Sequence, residues 1–166
     1  SGIDPSDWAA VHDETLGLLE AWTPRLLGWR WRTIEGVKMP MYARSLRHWK
    51  RDPKKTYWQV VGDRESFRTA ECQSLHRNLA RSTKGRRAHA RTNDDILLFA
   101  SGNKEDSGGP VRVFGDKTQG HPYHFAVLAA AMVVEERFPK HAMVWGDIDR
   151  GQAEEARRLA APILGR

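Results

Sequence analysis

Cysteine is almost absent. Cys72 is the only one in 166 residues, so no internal disulfide can form and no Cys pair is present to open a zinc site. A lone thiol fits a reducing compartment and is most simply a small buried residue. The chain also lacks a membrane-spanning run. Its longest apolar stretch, Phe125 to Phe138, is too short and carries Glu135, Glu136 and Arg137 near its end. No stretch reads as a secretory signal, so a cytoplasmic location is the expectation. Missing too are a P-loop, a dinucleotide-binding glycine pattern and a His-Glu-x-x-His pair. No internal repeat or heptad pattern is present. These absences leave a single globular domain over residues 1–166, and 40% hydrophobic residues are enough to build its core. Ser1-Gly2 and Gly165-Arg166 read as the ends of a piece taken from a longer chain.

What is abundant is arginine. The chain holds 27 basic residues, 19 of them Arg, against 21 acidic ones, for a net charge of +6. The excess is clustered. Arg44, Arg47, Lys50, Arg51, Lys54 and Lys55 face one acid, Asp52. Arg81, Lys84, Arg86, Arg87 and Arg91 face none. Such clusters favour an acidic partner, either an acidic protein surface or a nucleic acid; a membrane is not expected.

The stretch from His121 to Arg166 reads helix, strand, helix. Phe125 to Phe138 is rich in Ala, Leu and Met and apolar around most of its circumference, as a buried central helix is. Ala142 to Trp145 then reads as a buried strand. Asp149 and Gln152 have capping-box spacing for a second helix from Gln152 to Ala161, stopped by Pro162 and Gly165.

At the other end, Asp4-Pro5 opens a helix that Thr23-Pro24 closes, with Trp8, Val11, Thr15, Leu18, Leu19 and Trp22 on its inner face. Leu27 to Thr33 alternates Trp29 and Trp31 with Arg30 and Arg32. It turns at Glu35-Gly36 and returns as Val37 to Ser45. Alternation of this kind suits a sheet with Trp inside and Arg in water; it also suits a surface that stacks bases and neutralises phosphates. His48 to Lys55 is a basic connector and Tyr57 to Val61 a strand. Ser66 to Ala80 is read as helix and Ser82 to Asn93 as a basic loop. Ile96 to Ala100 and Val111 to Phe114 form a hairpin. The fold expected is α+β: an antiparallel or mixed sheet of about five to six strands, helices mainly on one face, and the C-terminal helix-strand-helix as core.

Three motifs bear on chemistry. Asp106-Ser107-Gly108-Gly109-Pro110 resembles the nucleophile loop of chymotrypsin-like serine proteases, and Asn93 to Leu98 resembles the segment around their catalytic Asp. A hairpin separation between Asp95 and Ser107 is too small for that triad, and the chain is too short for two barrels. A Gly-rich hairpin tip explains the same letters. Second, His121 and His124 lie three apart at the entry to the central helix. They are candidates for acid–base work or metal binding, with Asp116, Asp147 or Cys72 completing the set. The plainer reading has His121 capping the helix and His124 making a polar contact under the loop. Third, Gly62-Asp63, Gly115-Asp116 and Gly146-Asp147 share a strand-then-Gly-Asp form. It is ordinary turn chemistry, or three carboxylates able to meet around a divalent cation.

Three functions are therefore expected to compete. One is a non-catalytic interaction domain that uses a basic, Trp-rich surface, Arg30 and Arg32 included, to hold an acidic protein partner. Another is a nucleic-acid-binding module using residues 44–55 and 81–91. The last is a hydrolase or nuclease built on His121, His124, Asp116 and Asp147. No cofactor is expected in any of them.

Overall fold

A computed structural model describes residues 2–26, 30–34, 37–41, 46–48, 56–60, 73–83, 96–100, 111–116, 118 and 123–165. The chain is α+β. Helix α1 (Pro5–Leu26) is followed by strands β1 (Arg30–Ile34), β2 (Val37–Met41), β3 (Leu46–His48), β4 (Tyr57–Val60) and β5 (Gln73–His76). Then come α2 (Leu79–Thr83), β6 (Ile96–Ala100), β7 (Val111–Asp116), α3 (His124–Arg137), β8 (Ala142–Trp145) and α4 (Arg150–Leu164). Among the described residues the strands form three antiparallel sheets, ordered β1-β2, β3-β4-β5 and β7-β6-β8, where one sheet of five to six strands was expected. Alternation identifies strands and hairpins but leaves open which hairpins join.

The α3 helix is the core, as its composition implies: nine of its fourteen residues are buried, Ala126 to Ala131 without a break. A helix apolar all round has to be covered on every side, and α1, α4, β6 and β8 all pack on it. Arg137, in its last turn, ties three helices together. Its guanidinium donates to both carboxylate oxygens of Glu14 on α1, at 3.0 Å each, and to the Ile163 carbonyl of α4 at 3.2 Å.

The α1 helix begins at the Asp4 cap, whose carboxylate accepts from the Ser6 N–H at 2.7 Å. Its end differs from expectation, since the helix runs through Pro24 to Leu26. Proline in a final turn costs one intrahelical bond, less than it costs in mid-helix. At α4 the expected capping box is present: the Gln152 N–H donates to Asp149 Oδ1 at 2.8 Å, and the Asp149 N–H to Gln152 Oε1 at 3.1 Å. The helix passes Pro162 and closes at Gly165, whose φ of 71° is left-handed and suits glycine.

Two elements differ in kind. Within the stretch read as helix, residues 73–76 are strand β5 and only Leu79–Thr83 is helical, while 66–72 lie outside the described residues. Strand β8 has its expected place, but only Ala142 is fully buried; Met143 and Trp145 are 46% and 61% exposed. Among the described residues no helix is long and apolar enough to cross a membrane.

Candidate functional site

The register of the third sheet decides where the candidate carboxylates lie. Ile96, at the start of β6, pairs with Asp116, the last residue of β7; Leu97 pairs with Trp145, the last residue of β8. Both neighbours run antiparallel to β6, so β7 and β8 are parallel to each other and α3 crosses between them. The carboxyl ends of two parallel strands thus reach one end of the sheet, about 10 Å apart with β6 between. Asp116 and the Gly146-Asp147 turn belong to that end, as does the start of α3.

The histidines do not complete a site there. His124 is buried at 2% exposure. Its Nδ1 lies 2.9 Å from the hydroxyl of the buried Thr118, and its ring meets Phe125 edge-on at 5.5 Å. This is the polar contact under the loop that the plainer reading foresaw. The N-cap of α3 is Tyr123, not His121, and it makes no side-chain cap bond. His121, Cys72 and the Gly62-Asp63 turn fall outside the described residues. Asp147 is exposed. Among the described residues no three His, Cys, Asp or Glu side chains gather closely enough to hold a metal.

Of the basic candidates, Arg81 is exposed on α2, and Arg30, Arg32 and Arg47 belong to β1 and β3. Arg44, Lys50, Arg51, Lys54, Lys55, Lys84, Arg86, Arg87 and Arg91 lie outside the described residues. Charge is nevertheless segregated along the chain. Residues 27–122, which hold β1 to β7, carry twenty basic and ten acidic side chains. Residues 2–26 and 123–165, which hold α1, α3 and α4, carry eleven acidic and six basic ones. The helical side also engages its own cations: Arg137 with Glu14, Arg150 with Glu154 and Arg158 with Glu155. A groove of about 380 Å³ between α3 and α4 has Met132, Ala160 and Leu164 among its lining, with Glu135, Glu136, Arg157 and Arg158. Acids and bases both border it, so it favours neither sign of ligand.

One polar cluster was not foreseen. His12 lies fully buried on the inner stripe of α1, with Trp8 and Thr15. Its Nδ1 is 3.0 Å from Asp13 Oδ1, and Asp13 is gripped by Arg77, whose Nε reaches both carboxylate oxygens at 3.1 Å and whose terminal nitrogen reaches Oδ2 at 3.0 Å. Among the described residues Nε2 of His12 has no hydrogen-bond partner of good geometry, although the Leu75 main chain favours a proton on the ring. Carboxylate, imidazole and an orienting cation are components of acid–base sites, but here the imidazole is sealed in the interior. The cluster docks α1 against the Gln73–His76 strand, helped by the Trp8 indole N–H, which donates to the His76 carbonyl at 2.9 Å.

Burial outweighs the help of Asp13 and holds the His12 pKa below its ordinary 6.5. For Asp13, burial alone would raise the carboxyl; the Arg77 fork and then the His12 ring outweigh it, and the pKa lies below 3.8. Both signs agree. As pH falls through 6.5 the unfolded chain takes up a proton at His12 that the folded one refuses, so stability declines, and Asp13 adds a further loss below 3.8. Urea unfolding should therefore show stability falling between pH 7 and 5. His12→Gln should flatten that slope relative to the parent. An unchanged slope would show that the buried ring does not govern it.

Compared with family models, curated proteins and solved structures, the chain matches none.

Proposed function

We propose that the protein is a non-catalytic binding module whose basic segment, residues 27–122, holds an acidic protein partner. The supporting observation is the segregation of charge along the chain: the excess of Arg and Lys falls in residues 27–122, while the segments that hold α1, α3 and α4 are acid-rich. A surface of one sign steers an oppositely charged partner and fixes its orientation. Arg30, Arg32, Arg44, Arg47, Lys50, Arg51, Lys54, Lys55, Arg81, Lys84, Arg86, Arg87 and Arg91 are its contact residues. Trp58 takes no part in a Trp-rich surface, because it is wholly buried.

A protein partner is preferred to a nucleic acid because of the helices. Many groove readers insert an exposed basic helix, though some use a β-ribbon. Here α3 is buried, α1 is acidic, α4 pairs two of its three Arg with its two Glu, and α2 has five residues. A catalytic reading rests on Asp116 and Asp147 at one sheet end, and His124, buried on Thr118, offers no accessible base beside them.

The test compares binding of the whole chain to polyglutamate and to a mixed-sequence DNA duplex over a salt series. Polyglutamate should be held more tightly at physiological salt. Reversing Lys54 and Lys55, or Arg86 and Arg87, to Glu should weaken it at least tenfold while the circular dichroism spectrum is unchanged. Unaltered affinity in both reversals would overturn the proposal. Preference for DNA, with affinity falling on the order of 10³-fold from low to physiological salt, would replace it with the nucleic-acid reading.

A further inference from the structure

The exposed face of β8 has a partner defined by its own layout. Met143 and Trp145 occupy alternate positions on the strand and stand out at 46% and 61% exposure, while Ala142 and Val144, on the other face, turn towards α3. Large apolar side chains are usually exposed singly; two on one strand face form a patch that binding would cover.

Strand addition at the edge is disfavoured. The Ala142 N–H already donates to the Phe138 carbonyl at 2.8 Å, and the Val144 N–H to the Glu135 carboxylate at 3.0 Å. These alternate residues present their N–H groups away from β6, so the last turns of α3 blunt the edge where another strand would pair. Contact must therefore be made through the face.

Charge decides the occupant. Lys140 and His141 precede β8 and Asp147 and Asp149 follow it, so one end of the patch is positive or polar and the other negative. Two copies stacked face to face about a two-fold axis at Val144, with their strands antiparallel, bring Met143 of each over Trp145 of the other. The same axis sets residues 140 and 141 of each copy beside residues 148 and 147 of the other, so Lys140 comes within one residue of the other copy's Asp147. Parallel stacking would set like charge on like. Sulfur–aromatic contacts and reciprocal ion pairs are what an isologous interface of this kind repeats twice. We infer that the chain forms a weak symmetric homodimer through the Met143–Trp145 face of β8. Two anchors per copy are few beside the roughly 1,200–2,000 Å² of a stable interface, which places the dissociation constant on the order of 10⁻⁴ M.

Sedimentation equilibrium of the full chain, from about 10 µM to 1 mM, should show a monomer–dimer equilibrium in that range. Trp145→Glu, at an exposed position, should leave the far-UV spectrum unchanged and abolish the dimer. Asp147→Lys should weaken it several-fold, and adding Lys140→Asp should restore it. A chain monomeric throughout, a dimer that survives Trp145→Glu, or a charge swap that fails to restore association would each overturn the inference.

Discussion

Trp58→Ala should destabilise the chain by about 3–5 kcal/mol, roughly a fifth or more of the stability of an ordinary domain. Trp58 is 0% exposed and central in its sheet, paired with His48 on β3 and Leu75 on β5. It also begins a short relay. The indole N–H donates to the Thr15 hydroxyl at 2.9 Å, and that hydroxyl donates to the His12 carbonyl at 2.7 Å. Truncation removes one of the two tryptophans, with Trp8, that join α1 to the β3-β4-β5 sheet, and leaves a cavity that its packed neighbours fill poorly. Two milder variants separate volume from bonding. Trp58→Phe keeps much of the volume and loses the donor, and should cost less than the alanine change. Thr15→Val keeps its own volume but strands the indole N–H, at about 1–3 kcal/mol. Chemical unfolding of the three variants checks the order. Loss of less than about 1 kcal/mol in Trp58→Ala would mean that α1 is held mainly by α3.

The parts of the fold that could be read from sequence are those decided by neighbours a few residues away. The Asp149–Gln152 box closed as its spacing required, and β1 paired with β2 and β6 with β7 as antiparallel neighbours. The α3 helix was legible because an apolar run with few β-branched residues has little choice but to be helical and covered. Strand β5 was not, because Gln73–His76 alternates buried and half-buried for only four residues, too few to distinguish a period of two from the weak helical face around it. In β8 the letters Ala-Met-Val-Trp say apolar without saying which neighbour meets each residue; pairing with β6 turned Met143 and Trp145 outward. The strand-then-Gly-Asp form shared by Asp116 and Asp147 raised a common sheet end only as an option; it is the register of β6 with β7 and β8 that brings those two strand ends together. The His12 cluster lay beyond such reading, since Arg77 comes 64 residues after Asp13 and only the packing of α1 on β5 unites them.

Gln73→Met is expected to act in the opposite direction to most core changes, raising stability by about 1–3 kcal/mol, or roughly 2–4 °C in Tm for each kcal/mol. Gln73 opens β5 opposite Val60 and is 0% exposed, and among the described residues neither its amide oxygen nor its amide nitrogen has a hydrogen-bond partner. A buried amide in that state has given up its water without recompense, and a thioether of similar length and shape removes the penalty while keeping the packing. Gln73→Glu supplies the converse: a carboxylate there must either stay protonated or carry charge into the core, so its cost should rise as pH increases from 5 to 8. Thermal and urea unfolding of both variants decide the matter. A loss of 1 kcal/mol or more in Gln73→Met would mean that the amide is satisfied in solution, by an internal water or a shifted neighbour, and that its burial is a stabilising feature of the α1-β5 contact.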